Sequence, residues 1–260
     1  MTDPRIHERR VRVQRQRGHR RLGIVVGVLL AAGLSAGTLA LLHTSLFGAR
    51  TVVIAGAVHT ERGQILLVTG LNREPPLIDV NTTTMARRLD RLPWVAAASV
   101  AVDWPSTVAV AVVERIPVAT AHLAKGGYGL LDATGRVLSD KATRPRELPL
   151  VGVAGILGRP GSSIDASAGP LLAAAAALPV SLLPQVEAIV DTPGEGIVLR
   201  LEGGVTAIVG DDDALAQKFV SLATVLRRVH LDGVGTIDLS IPAAPVLTPP
   251  GQPLYRSGKG

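Results

Sequence analysis

The chain reads as an α+β protein held by a single N-terminal transmembrane helix. A small β-α-α-β-β domain follows the helix, and then a larger mixed α/β domain with an extended antiparallel sheet. Three observations predict this. An uncharged apolar run near the N-terminus is as long as a bilayer is thick. The excess positive charge sits before that run. Beyond it, short β-rich runs alternate with helical stretches, divided by Pro- and Gly-containing turns.

The apolar run is Leu22 to Leu42, 21 residues whose only polar side chains are Ser35 and Thr38. At about 1.5 Å per residue it spans roughly 30 Å, the hydrocarbon thickness of a bilayer. A cleaved signal peptide has an apolar stretch of about 7–15 residues, so the length favours a retained anchor. Arg20-Arg21 resembles a twin-arginine signal only in that pair. Of the 27 basic and 21 acidic residues, eight arginines and two acids lie in residues 1–21, which leaves the rest neutral. Arginines on the N-terminal side place that tail in the cytoplasm and residues from about 43 outside. They also attract anionic lipid. A nucleic-acid-binding domain would carry its charge on the folded surface, so none is expected.

Two spacings inside the run are weighed against context. Gly23/Gly27 and Gly33/Gly37 are GxxxG pairs that permit close helix approach, but small residues are common in membrane helices. Gly33-Leu34-Ser35-Ala36-Gly37 matches a nucleophile elbow, which requires a strand–turn–helix and not a membrane helix.

Composition narrows the chemistry. Hydrophobic residues make up 47% and aromatics 2%, so the core is expected to be Val, Leu, Ile and Ala. With no cysteine there are no disulfides, zinc–thiolate sites or thiol nucleophiles. His7, His19, His43, His59, His122 and His230 are scattered without ligand spacing, and no phosphate-binding loop or metalloprotease motif occurs. Ser162-Ser163 has no base nearby in sequence. No catalytic residue, cofactor, metal or small-molecule substrate is expected. A triad assembled only by the fold would leave no mark in sequence, and a serine-directed probe would reveal such a membrane-anchored hydrolase.

In the first outer domain, Thr51–Ala55 reads as a strand. Thr60 is placed to cap a helix over Glu61–Val68 that Gly70 stops. Leu77–Val80 reads as a short extended piece after Pro75-Pro76. Asn81 or Thr82 caps a second helix to about Arg91. Val95–Val102 and Thr107–Glu114 follow as strands around the Asp103–Ser106 turn. Trp94 and Trp104 are expected in the core or against turns. Glu114 and Arg115, adjacent in a strand, face opposite ways, so neither is expected to be catalytic.

Leu89, Leu92-Pro93-Trp94-Val95, Ala98-Ser99-Val100, Trp104-Pro105-Ser106-Thr107-Val108 and Val113-Glu114-Arg115-Ile116-Pro117-Val118-Ala119 occur in that order. This set resembles the FtsQ/DivIB family of bacterial cell division proteins. The resemblance implies a POTRA domain over residues 48–117 and an FtsQ-type β-domain over 118–250; residues 251–260, rich in Pro, Gly and Ser, lie outside it and are expected to be disordered. It implies structural roles for Pro93, Trp104, Pro105, Glu114, Arg115 and Pro117. A POTRA module of protein secretion is a rival, but about 140 remaining residues are too few for a translocation barrel.

In the second domain, Tyr128–Leu138 reads as a hairpin around Asp132–Gly135, and Gly135 matches the family's hairpin glycine. Leu148–Gly152 resembles a family LP-x-V-x-G segment, with the glycine one position early. Ala166–Leu178 reads as a helix. Val186–Val190, Gly196–Leu201 and Val205–Val209 read as strands, and Asp213–His230 as a helix with a Leu215, Phe219, Leu222, Val225, Leu226, Val229 stripe. Asp211-Asp212-Asp213 is expected to cap that helix and complement its dipole, since no calcium-loop pattern follows. Lys218 matches a family lysine, while an aspartate after Gly210 departs from the family's basic residue there. Asp232-Gly233 starts a turn, and Thr236–Ile241 and Val246–Thr248 read as the last strands. Ile237-Asp238-Leu239 matches a family strand, with Ser240 replacing an arginine.

The resemblance implies that this last region is an exposed edge. A strand of an FtsB/DivIC-like protein, held with an FtsL-like protein, adds to it at the division septum of the plasma (inner) membrane. The positions carried over are Ser240, Ile241, Ala243, Ala244, Val246 and Leu247, with Pro242 and Pro245 interrupting the ladder. The alternative is that these residues simply end the domain.

Overall fold

The computed structural model describes residues 24–124, 126–141, 143–153, 158–229 and 233–251. The expected basic tail (1–21), Leu22, Gly23, His230, Asp232 and residues 252–260 lie outside them.

Helix α1, Ile24–Leu42, is long and apolar enough to cross a membrane once, and none of it is buried against the rest of the chain. Its two hydroxyls are satisfied internally: Ser35 donates to the Ala31 carbonyl at 2.8 Å and Thr38 to that of Leu34 at 2.9 Å. A Cβ at Gly33 or Gly37 would meet nothing within 4 Å, so the chain's own residues leave that GxxxG face open.

The chain divides into two compact units. The first comprises Met1–Ala55, Arg62–Ala86 and Ser99–Ala111, and the second Gly56–Glu61, Arg87–Ala98 and Val112–Gly260.

The β-α-α-β-β order is present as β1 (Thr51–Ala55), α2 (Arg62–Thr69), α3 (Thr82–Leu89), β2 (Val95–Asp103) and β3 (Thr107–Glu114). The sheet order is β1-β3-β2, with β1 parallel to β3 from Thr51↔Thr107 to Ala55↔Ala111. Val108, Val110 and Val112 are buried while Ala111 and Val113 are exposed, the alternation of a strand with one covered face. Asn81 caps α3, its Oδ1 accepting from Thr84 N at 2.9 Å.

Two local expectations are corrected. Leu77–Asp79 is a 3-10 turn rather than extended, because Asp79 N and Val80 N close bonds to Pro76 O and Leu77 O. Thr60 does not cap α2: its Oγ1 is buried without a hydrogen-bond partner, and the backbone amides there bond to another side chain, described below.

The larger sheet has nine strands: β4 (Pro117–His122), β5 (Tyr128–Asp132), β6 (Val137–Lys141), β7 (Leu150–Gly152), β8 (Val186–Thr192), β9 (Gly196–Leu201), β10 (Thr206–Gly210), β11 (Thr236–Asp238) and β12 (Val246–Thr248). Their spatial order is β12-β11-β10-β9-β8-β7-β4-β5-β6. The sheet is extended as expected, but mixed. The pairs β4/β7, β7/β8 and β10/β11 are parallel. Parallel neighbours need a crossover: α4 (Gly169–Ala177) supplies it between β7 and β8, α5 (Leu215–Arg228) between β10 and β11, and the strands β5 and β6 lie between β4 and β7.

Leu171, Leu172, Ala174 and Ala175 of α4 join Phe219, Leu222 and Val225 of α5 in one core with Ile189, Leu199, Ala207 and Ile237 of the sheet. Leu215 and Leu226 pack partly, whereas Val229 lies past the helix end and is exposed. The aspartates do not cap α5 either. Ala214 occupies the cap position at φ 53 with no side-chain bond.

Candidate protein-interaction edge

The last expected strand, Thr236–Ile241, ends early, at Asp238. Asp238 stops it by accepting from Ser240 N at 2.9 Å, a side-chain turn that competes with the ladder. Ile241–Ala244 then form a turn with Ala244 N donating to Ile241 O at 3.0 Å and Pro242 in the second position. Ser221 of α5 donates its hydroxyl to Pro242 O at 2.6 Å and pins the turn to the helix. Ser240, Ile241, Ala243 and Ala244 are therefore exposed turn residues, and the expected strand does not reach Ser240 or Ile241. Only Val246 and Leu247 of the six lie on β12, which pairs antiparallel with β11 through Asp238↔Val246, Ile237↔Leu247 and Thr236↔Thr248. Leu247 leans on the core, and Val246, 55% exposed, faces the other way. Pro245 and Pro249 bracket the strand and, lacking N–H groups, confine any further ladder to its three residues.

The two edges of the sheet differ. Along β6, the 161–164 segment already bonds to the backbone: Val137 N to Ser162 O at 2.8 Å, Gly161 N to Val137 O at 2.7 Å, and Ile164 N to Gly135 O at 2.9 Å. The remainder carries Asp140 and Lys141, charges that discourage pairing. Among the described residues β12 has β11 on one side only, and it carries an apolar residue outward.

Of the family-motif residues, Glu114, Arg115, Gly135 and Lys218 hold structure together within the second unit. Glu114 ends β3, and its carboxylate, 10% exposed, accepts from the amides of Val58 (3.0 Å), His59 (2.9 Å) and Thr60 (2.8 Å) and meets His59 Nδ1 at 2.9 Å. Burial alone would raise its pKa. The bonds from the His59 amide and ring and the Thr60 amide outweigh that and hold it at about 2. The His59 ring stacks on Trp94, centroids 4.0 Å apart and nearly parallel.

Arg115 donates from Nε to Val95 O (2.9 Å) and from Nη1 to Asp132 Oδ2 (2.7 Å). Asp132, buried at the end of β5, also accepts from the Thr134 amide (2.9 Å) and hydroxyl (2.8 Å) and from Arg136 N (2.9 Å). Burial raises its pKa, and the Arg115 bond and the loop donors bring it below the ordinary carboxylate value. Gly135 turns this loop at φ 81, where a Cβ would lie 2.8 Å from Ile164. Glu114 and Arg115 thus serve different partners, but Arg115 lies past the end of β3 and not on a strand as expected, and Pro117 opens β4.

Lys218 is 2% exposed. Its Nζ donates to Asp211 O at 3.0 Å and to the Asp211 carboxylate, whose pKa is lowered by those contacts. Trp104 is neither in a core nor in a strand. It sits in the β2–β3 turn, 53% exposed, edge to face with Phe47, and is joined to Pro105 by a cis bond. Pro93 follows α3 ahead of β2. The Asp132 hub, the His59–Trp94 stack and the Phe47–Trp104 pair escape a sequence reading because their members are 17, 35 and 57 residues apart.

A cleft of about 650 Å³ is lined by Arg144, Arg146, Glu147, Pro184, Val186, Glu187 and Glu202, with no Ser, Thr, Cys or His among them. Among the described residues no three His, Cys, Asp or Glu side chains group to hold a metal.

Residues 47–115 match the family model of the POTRA domain, FtsQ-type, and residues 120–240 that of the cell division protein FtsQ/DivIB, C-terminal. A cell division protein FtsQ of Streptomyces bingchenggensis is 30% identical over 247 residues, covering 92% of this chain and 89% of that protein. That of Mycolicibacterium smegmatis is 30% identical over 209 residues, covering 80% and 60%. That of Caulobacter vibrioides is 30% identical over 215 residues, covering 80% and 68%. The chain spans about 60% of the length of the Mycolicibacterium smegmatis and Mycobacterium leprae relatives.

Proposed function

Because this chain belongs to the FtsQ/DivIB family of cell division proteins, we propose that it is a membrane-anchored scaffold of the division machinery, without catalytic activity of its own. Its arginine-rich tail lies in the cytoplasm, α1 crosses the plasma membrane, and residues from about 43 onward stand outside. Residues 48–117 form the POTRA domain and 118–250 the partner-binding domain. There β12 accepts a strand from an FtsB/DivIC-like protein held with an FtsL-like protein. The resulting complex controls septal peptidoglycan synthesis.

The observation that supports this reading is the state of β12. Among the described residues it is a sheet edge with one backbone side unpaired, and Val246 is exposed there beside an apolar turn bearing Ile241. Strand addition draws its affinity from backbone hydrogen bonds and its specificity from alternate side chains. A three-residue ladder contributes few such bonds, so Ile241, Ala243 and Ala244 would have to add apolar contact.

The test is co-purification of the full chain in detergent with the FtsB/DivIC-like and FtsL-like proteins of the same organism, against Ile241→Lys and Val246→Lys. Both side chains are exposed, so both variants should fold as the parent by circular dichroism. Loss of the partners from folded variants is the expected result. Partners retained at parental yield by both variants would remove β12 and its turn from the interface.

A further inference from the structure

The chain has two tryptophans and two phenylalanines in 260 residues. Phe219 lies in the core and Trp94 stacks on His59. Phe47 and Trp104 lie elsewhere, and both are tied to the exit of α1. Phe47 ends the 3-10 turn Ser45–Phe47, five residues after Leu42. Little slack separates them. Thr44 N donates to Leu41 O at 3.0 Å, Phe47 N to Thr44 O at 3.1 Å, and Ala49 N to Pro75 O at 2.9 Å, while His43 Nε2 lies 3.4 Å from Asp79 Oδ1. At about 2 Å of rise per residue, Phe47 lies roughly 10 Å or less beyond the helix end. The β2–β3 turn is held to the start of β1 by Thr51 N donating to Ser106 O at 3.1 Å, which sets the Trp104 ring 5.9 Å from that of Phe47.

We propose that this end of the first unit, with Trp104, Phe47 and the 60%-exposed Leu46 at its centre, rests in the membrane–water interface and fixes that unit's stance on the bilayer. The proposal rests on the membrane-anchored reading given above. The polar layer extends about 5–8 Å beyond each face of the hydrocarbon core. With Leu42 at the hydrocarbon edge, the ring pair meets that layer. Tryptophan is favoured there because its ring is apolar and its N–H can bond to headgroups or water. Ile78, beside Asp79, adds partly exposed apolar surface, and Arg50 supplies a cation suited to phosphate headgroups. The lipid surface is chosen over a protein occupant because this end is covalently continuous with α1.

The experiment reconstitutes the full chain into vesicles of phosphatidylglycerol and phosphatidylethanolamine containing lipids spin-labelled at the headgroup, near the top of the acyl chain, or near its end. Trp94→Phe leaves Trp104 as the sole reporter, and Trp104→Phe leaves Trp94. The expected result is Trp104 emission quenched several-fold more by the shallow labels than by the deep one, with Trp94 unaffected. Trp104 quenched no more than Trp94 overturns the proposal, as does shielding of Trp104 that appears only on adding a protein partner. Because Trp94→Phe could disturb its His59 stack, a second readout keeps both tryptophans. In the cysteine-free chain, Ser106→Cys carrying an environment-sensitive dye should report an apolar surround in vesicles and water in detergent-free denaturant. A dye in bulk water in both overturns the proposal. Carbonate extraction of the same vesicles separates the two readings: release of the chain from the membrane defeats both, whereas a retained chain with unquenched Trp104 defeats this proposal alone.

Discussion

Glu114→Gln keeps an acceptor oxygen and removes the charge that three amides and the His59 ring converge on. The carboxyl is held at about 2, against an ordinary value of 4.5. At about 1.4 kcal/mol per unit, that difference corresponds to roughly 3 kcal/mol of folding free energy. The folded pKa is depressed, so the unfolded chain takes up the proton first as pH falls. The stabilisation is therefore complete above about pH 4.5 and is lost as pH drops through about 2. Urea unfolding of the full chain in detergent, followed by the fluorescence of Trp94 on the neighbouring His59 ring, reads it out. Asp132, Asp165 and Asp211 are also depressed, so the parent's own acid sensitivity is not diagnostic. The difference between parent and Glu114→Gln is. It should be roughly 2–3 kcal/mol at pH 7 and shrink toward zero near pH 2. A difference of equal size at both ends of that range, or one below about 0.5 kcal/mol at pH 7, would refute the reasoning.

Other perturbations probe separate parts of the fold. Lys218→Ala removes a buried stem and should cost about 2–3 kcal/mol. Lys218→Met keeps the stem and should cost about 1 kcal/mol or less, since Asp211 is exposed and can turn to water; equal losses by denaturation would show that the ammonium, not the stem, matters. Gly196→Ala places a Cβ 2.3 Å from Gly210 O at φ 72 and should lower stability by about 1–3 kcal/mol, measured by thermal unfolding. Leu222→Ala opens the α5 core and should cost about 2–5 kcal/mol without abolishing α1 insertion, measured by unfolding and carbonate extraction in parallel.

Much of the secondary structure was legible in the sequence. The runs Thr51–Ala55 and Gly196–Leu201 became strands at those bounds, and the stripe of Phe219, Leu222 and Val225 became the buried face of α5. Such elements follow from local periodicity, which a sequence displays directly. The misreadings share a cause. Thr60 and Asp211–Asp213 have the composition of helix caps, but a capping donor can be answered from anywhere in the fold. Glu114 takes the amides beside Thr60 from over fifty residues away, and Asp211 spends its carboxylate on Lys218. The strand drawn to Ile241 stops at Asp238 because one side chain bends back on the chain, a choice between two local bonds that periodicity does not register.

The amino-acid sequence by itself determined the single apolar run long enough for a bilayer, the neutral α+β body beyond it and the ordered motif set of the family. All of these are properties of neighbours along the chain. Tertiary structure alone decided that β10 and β11 run parallel around α5, that the start of β6 is bonded by the 161–164 segment while β12 has no second neighbour among the described residues, and that Phe47 meets Trp104. Edges and long-range pairs belong to the sheet as a whole. Whether a strand is an edge depends on which strand failed to pair with it, and no run of residues contains that information.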